Sequence, residues 1–188
     1  MGFFQAVEIV HILISVFTIS LAFSLPGFLS FPIVLVTLGA GFILHEMAHK
    51  FVAIKFGCLA VYRAWMEGLI LAVVFAFATG GKFVFAAPGA VYIFKTGLTR
   101  FEDGLISLAG PLTNMLFGFG LLFLLLGTPF AGVGLIGFKV NMFLGLFNMV
   151  PIGPLDGAKV MRWSGAVWAL FFGCFIVFNF VWPMNFFL

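Results

Sequence analysis

Four apolar stretches, Phe3 to Leu25, Phe31 to Ile54, Gly104 to Leu126 and Trp163 to Trp182, are each long enough to cross a hydrocarbon core about 30 Å thick at about 1.5 Å per residue. In lipid every backbone N–H and C=O must be satisfied within the protein, so each stretch is expected to be a helix. With 64% hydrophobic and 8% charged residues among 188, a water-soluble globule is excluded. The net charge of +3 comes from a scarcity of acids, not from a basic patch, so no nucleic-acid partner is expected. Cys58 and Cys174 are far apart and form no C-x-x-C pair, which leaves His and carboxylate to hold any metal. Met1 to Glu8 lack the basic start of a secretory signal, and Ala6 stands where a myristoylation motif needs Ser or Thr, so an unprocessed, unlipidated N-terminus is expected.

A fifth crossing is expected from Val133 to Val150, with Lys139 snorkelling to the near surface. Between Met66 and Phe94 an apolar run ends at Thr79-Gly80-Gly81-Lys82, and a β-rich run, Phe83 to Phe94, follows. If this pair enters and returns, Lys50, Lys55, Arg63, Lys95, Arg100, Lys159 and Arg162 lie on one side, against Lys82 and Lys139 on the other. The positive-inside rule prefers that arrangement. The expected fold is therefore an all-α polytopic membrane protein of about six transmembrane segments with a small re-entrant β-hairpin at 83–94, shielded by protein. No repeat, linker or second domain interrupts residues 1–188.

The second stretch ends in His45-Glu46-Met47-Ala48-His49, the pattern H-E-x-x-H on a helix. Four residues is about one turn, so both imidazoles reach one tetrahedral Zn²⁺ at about 2.0–2.1 Å, with Glu46 beside them to exchange a proton with water. In a chain this poor in His and Glu the pattern arises by chance on the order of once in a thousand. Charged groups inside a membrane helix cost about 2.5–3.5 kcal/mol each, and a metal is the natural compensation.

A catalytic zinc needs a third protein ligand. Asp156 is the best placed of the remaining acids, because Pro151, Gly153, Pro154 and Gly157 break the helix around it and can turn its carboxylate back into the bundle. The alternative is a plain proline turn with Asp156 as the N-cap of the last helix.

Polar and small residues recur at helical spacing in two further helices: Ser107, Gly110, Asn114 and Gly118, then Asn141, Gly145 and Asn148. Close helix packing with interhelical hydrogen bonds accounts for such stripes. Glu8, His11, Ser15 and Thr18 form a polar face on the first helix, expected to point inward and to line a path for water.

Three segments in order, His45-Glu46-x-x-His49, Gly110-Pro111-x-x-Asn114 and Asn148-x-x-Pro151-x-x-Pro154-Leu155-Asp156-Gly157, resemble the site-2 protease family of intramembrane zinc metalloproteases. The resemblance implies one Zn²⁺ per chain on His45, His49 and Asp156, with Glu46 as the catalytic acid and base. It places the catalytic core at about 31–157 of a single membrane-embedded domain. It also implies β-structure between the first two motifs, and cleavage of membrane-anchored protein substrates within or near their transmembrane segments. Asn114 and Asn148 are then expected to position the substrate carbonyl or its oxyanion. The chain has no room for an appended PDZ or CBS module, and the run 66–80 is longer than the family leads one to expect. The compact all-membrane form points to a multi-pass protein of a prokaryotic cell membrane, and its expected partners are a transmembrane protein or peptide and the bilayer. Two competing readings are a membrane metal transporter and a catalytically silent scaffold of the same fold.

Overall fold

The computed structural model describes residues 5–25, 27–82, 84 and 88–181. The elements in chain order are α1 (Ala6–Phe23), a 3-10 turn (Phe28–Ser30), α2 (Phe31–Lys55), β1 (Leu59–Ala64), α3 (Met66–Ala78), β2 (Gly89–Phe94), α4 (Arg100–Leu125), α5 (Ala131–Asn148), α6 (Asp156–Trp163), α7 (Gly165–Ile176) and a π-turn (Val177–Val181).

Four segments are long and apolar enough to cross a membrane: α1, residues 28–55 containing α2, α4 and α5. Six crossings are therefore not what the helix lengths give. α3 has 13 residues, about 20 Å of helix, short of a 30 Å core. The stretch 163–182 is also divided. Ser164 is extended and caps α7 by accepting from Val167 N at 3.3 Å, so Trp163 belongs to α6 and the apolar helix runs only from Gly165 to Val181.

α2 lies at the centre, packed against α1, α4 and α5. Small residues let the helices approach closely: a methyl group at Gly41 would strike Asn141, and one at Gly118 would press on Met142. α4 starts at a capping box, with Glu102 N bonded to Thr99 Oγ1 at 3.2 Å and Thr99 N to Glu102 Oε2 at 2.9 Å. One apolar core joins α1, α2 and the sheet through Ile12, Leu38, Phe42 and Tyr62. A second joins α4, α5, α6 and α7 through Leu122, Met142, Val160 and Phe175.

The β-structure differs from the expected local hairpin. β2 pairs antiparallel with β1, from Leu59↔Phe94 to Ala64↔Gly89, and α3 lies between the two strands in sequence. The Val91-Tyr92-Ile93-Phe94 run finds its partner across α3, and sequence alternation alone does not say which distant segment that partner is. Residues 83 and 85–87 of the expected hairpin lie outside the described residues.

The polar face of α1 points inward as expected, with Glu8 and Ser15 buried. Tyr62 N donates to Glu8 Oε1 at 2.9 Å, Ala64 N donates to His11 Nδ1 at 3.3 Å, and the hydroxyls of Ser15 and Tyr62 lie 2.8 Å apart. Lys50 Nζ of α2 joins the same cluster, 2.6 Å from Glu8 Oε1. These groups satisfy the outer edge of β1. Burial raises the pKa of the Tyr62 hydroxyl far above the usual range.

Candidate metal centre

His45 and His49 lie one turn apart near the end of α2, and both are buried. Their Nε2 atoms are 3.0 Å apart, and Asp156 Oδ2 lies 3.3 Å from the first and 3.2 Å from the second. Ligands about 2.0–2.1 Å from a tetrahedral centre are about 3.3 Å from one another, so this triangle already has the size of a zinc site.

The outer contacts of the imidazoles decide what those Nε2 atoms can do. His49 Nδ1 lies 2.6 Å from the carbonyl of Ile106, which can only accept, so Nδ1 carries the proton. His45 Nδ1 lies 2.5 Å from Asn114 Oδ1. The orientation of that amide is fixed by its other end, because Asn114 Nδ2 donates to Gly41 O at 3.2 Å and to Asn141 Oδ1 at 2.9 Å. In the neutral rings both Nε2 atoms therefore present lone pairs to each other and to a carboxylate. Three converging lone pairs repel unless a cation lies among them, and donors of this type suit Zn²⁺. Gly110 supplies the remaining room: a Cβ built there would collide with Nε2 of both histidines. Pro111, inside α4, lacks the N–H that would bond to the Ser107 carbonyl one turn earlier.

Asp156 reaches the histidines because the chain reverses between α5 and α6. α5 ends at Asn148, Gly153 adopts a left-handed φ of 57°, and Leu155 takes the N-cap position of α6, so Asp156 is not the cap. Gly157 lies so close to the Met149 carbonyl that any side chain would strike it. That carbonyl also accepts from Trp168 Nε1 at 2.9 Å, which ties α7 to the turn. Its Oδ2 thereby completes the donor triangle with the two Nε2 atoms.

Glu46 is 4% exposed, borders the same cleft as the triad, and its Oε2 has no hydrogen-bond partner among the described residues. β2 borders the same cleft. Since Tyr62 N points away from β2 to Glu8, the Tyr62↔Val91 pair is a non-hydrogen-bonded one, and Val91 N must also point out of the sheet. It faces the Glu46 carboxylate. α1 covers the outer edge of β1, and the outer edge of β2 borders the cleft.

The two asparagines expected to act on substrate separate here. Asn148 borders the cleft, with Nδ2 bonded back to Leu144 O at 3.0 Å. Asn114 is fully buried and turned toward His45, Gly41 and Asn141. Its geometry suits holding a ligand ring in one tautomer rather than touching a substrate. Asn114→Ala is therefore expected to weaken zinc binding about 10–100-fold, measured by competition with a chelating dye. Unchanged zinc affinity with reduced turnover would return Asn114 to the substrate role. Sequence reading gave no signal for the Ile106 carbonyl or for Arg63, which also borders the cleft; Ser107, another cleft residue, entered it only as part of a packing stripe.

Comparison with known proteins gives the same picture. The chain is 46% identical over 173 residues to "Putative zinc metalloprotease MJ0611" of Methanocaldococcus jannaschii, covering 89% of this chain and 90% of that protein. It is 28% identical over 155 residues to the Bacillus subtilis protein similarly named YwhC, covering 70% and 68%. It is 32% identical over 171 residues to the similarly named Rip3 of Mycobacterium tuberculosis, covering 81% of this chain and 38% of that protein. No family model and no solved structure matches the chain.

Proposed function

This chain belongs to the site-2 protease family of zinc metalloproteases, and from that premise we propose that it cleaves membrane-anchored proteins within or beside their transmembrane segments. The observation that carries the proposal is the convergence of His45, His49 and Asp156 beside Glu46, in a cleft enclosed by helices apolar enough for lipid. The reading includes a multi-pass protein of a prokaryotic cell membrane. Its single domain spans 1–188, its catalytic core lies at about 31–157, and α3 and residues 165–181 add two shorter membrane segments to the four long ones.

His45 Nε2, His49 Nε2 and Asp156 Oδ2 would hold one Zn²⁺, which when bound supplies a Lewis acid that activates water and polarises a carbonyl. Glu46 takes the proton of the attacking water on its unpartnered Oε2 and returns it to the departing amine, so no acyl-enzyme is required. Asn148, which borders the cleft, would donate its second Nδ2 hydrogen to the substrate carbonyl. Asn114 and Ile106 keep the imidazoles aimed.

A helical substrate hides its carbonyls in its own hydrogen bonds, so the segment must be extended before attack. The outer edge of β2 offers main-chain partners for such a strand directly beside Glu46. Transport of metal ions is less well supported. It needs a polar path along α2, yet between Phe31 and Leu44 the sequence offers only Thr37, whose hydroxyl is bonded to Ile33 O of its own helix at 2.8 Å.

The test is cleavage of a reporter with one transmembrane segment by the purified protein in detergent, with the cut mapped by mass spectrometry. The expected cut lies within or next to the apolar segment, stops with 1,10-phenanthroline and resumes with added zinc. Cuts confined to the reporter's soluble parts would contradict the intramembrane reading.

A further inference from the structure

Among the described residues, four buried side-chain polar atoms have no hydrogen-bond partner: Ser20 Oγ, Glu46 Oε2, Arg63 Nη1 and Ser107 Oγ. Three of these residues, Glu46, Arg63 and Ser107, border the one cleft that contains the metal triad. Glu46 is accounted for by the reaction. Arg63 is not, and it differs in kind: a guanidinium is always charged, only donates, and leaves a costly group unsatisfied when a nitrogen is buried without an acceptor.

Arg63 is held in place by the sheet. It pairs with Ala90 of β2, next to the Tyr62↔Val91 pair whose N–H groups reach Glu8 and Glu46, so its backbone cannot drift from the cleft. Yet it forms no ion pair with either cleft carboxylate among the described residues. A second cation borders the same space. Lys159 lies three residues beyond Asp156 on α6, hence on the same helical face. Once the triad's charge is engaged by a divalent ion, two cations remain around the cleft against the single carboxylate of Glu46.

Resting on the protease reading above, we propose that Arg63, assisted by Lys159, is a specificity-determining residue that selects substrates carrying a carboxylate close to the scissile bond. The ligand chemistry is a peptide carboxylate, from an Asp or Glu side chain or from a free chain end. Arg63 offers it two parallel N–H donors, a geometry that an ammonium lacks.

The test separates binding from turnover. Zinc-loaded, full-length Glu46→Gln protein in detergent is titrated with synthetic apolar peptides. These are neutral, or carry a single Glu at successive positions, or end in a free or an amidated C-terminus. The expected result is about tenfold or greater tighter binding for Glu at one position or for the free chain end, and these two arms identify the source of the carboxylate. Adding Arg63→Gln should bring that ratio to within about twofold of one, and Arg63→Glu should turn the preference toward Lys-bearing peptides. Equal binding of acidic and neutral peptides, or a preference that survives Arg63→Gln at normal zinc content, overturns the proposal. If Arg63→Gln fails to fold, Arg63→Lys supplies the comparison, because it keeps the charge and loses the two parallel donors: its ratio should fall below that of the Arg63-intact protein, and an unchanged ratio overturns the proposal. Cleavage by the parent is scored separately across the whole peptide set: its absence from every peptide counts against the protease reading, whereas the binding ratio still reports on Arg63.

Discussion

Glu46→Gln lowers the turnover of a membrane-anchored reporter by about 10²–10⁴-fold and leaves one zinc bound per chain. The two halves of this expectation come from different features. Zinc is retained because the donor triangle consists of His45, His49 and Asp156 and does not include Glu46. Turnover falls because the Gln amide has nearly the same shape as the carboxylate but cannot accept the proton of an attacking water. Substrate affinity should change little, so the loss appears in kcat and not in KM. Loss of zinc in this variant would mean that Glu46 is itself a ligand. Retained turnover would mean that another group moves the proton.

Asp156→Ala reduces bound zinc from one per chain to near zero at zinc concentrations that saturate the parent, and cleavage disappears with it. Contacts that merely orient a ligand are worth about 10–100-fold in metal affinity, and a direct ligand is worth more. The variant leaves only two imidazoles, held by Asn114 and Ile106, facing each other at 3.0 Å. The packing of the turn should survive, since it depends on Gly157 against Met149 and on Trp168, and not on the Asp side chain. A variant that elutes as the parent does but lacks zinc fits this account; one that retains stoichiometric zinc removes Asp156 from the ligand set.

The parts of this architecture most legible in sequence are those governed by local rules. The H-E-x-x-H spacing places two imidazoles on one helical face whatever the surroundings, and the prolines and glycines around Asp156 announce a reversal of the chain. The apolar runs that became α1, α2, α4 and α5 are likewise written in composition. What escaped is what depends on distant partners. β1 is six residues long, and its role follows from pairing with β2 across α3 and from Glu8 and His11 satisfying its other edge. The same long-range docking explains the polar face of α1, which spacing alone suggests could line a water path. Ser164 hides a helix break inside a continuous apolar run, because its capping role depends on an extended backbone that hydropathy does not register. Asn114 could be recognised as important from its motif, but which way its amide points is decided by Gly41 O and Asn141.

The most direct test of the metal centre is X-ray absorption at the zinc edge of the purified, zinc-loaded protein in detergent. The account predicts one zinc in a four-coordinate shell of nitrogen and oxygen at about 2.0–2.1 Å, with the outer-shell signature of two imidazoles. A sulfur shell at about 2.3 Å would place the metal on Cys58 or Cys174 and contradict the assignment of His45, His49 and Asp156.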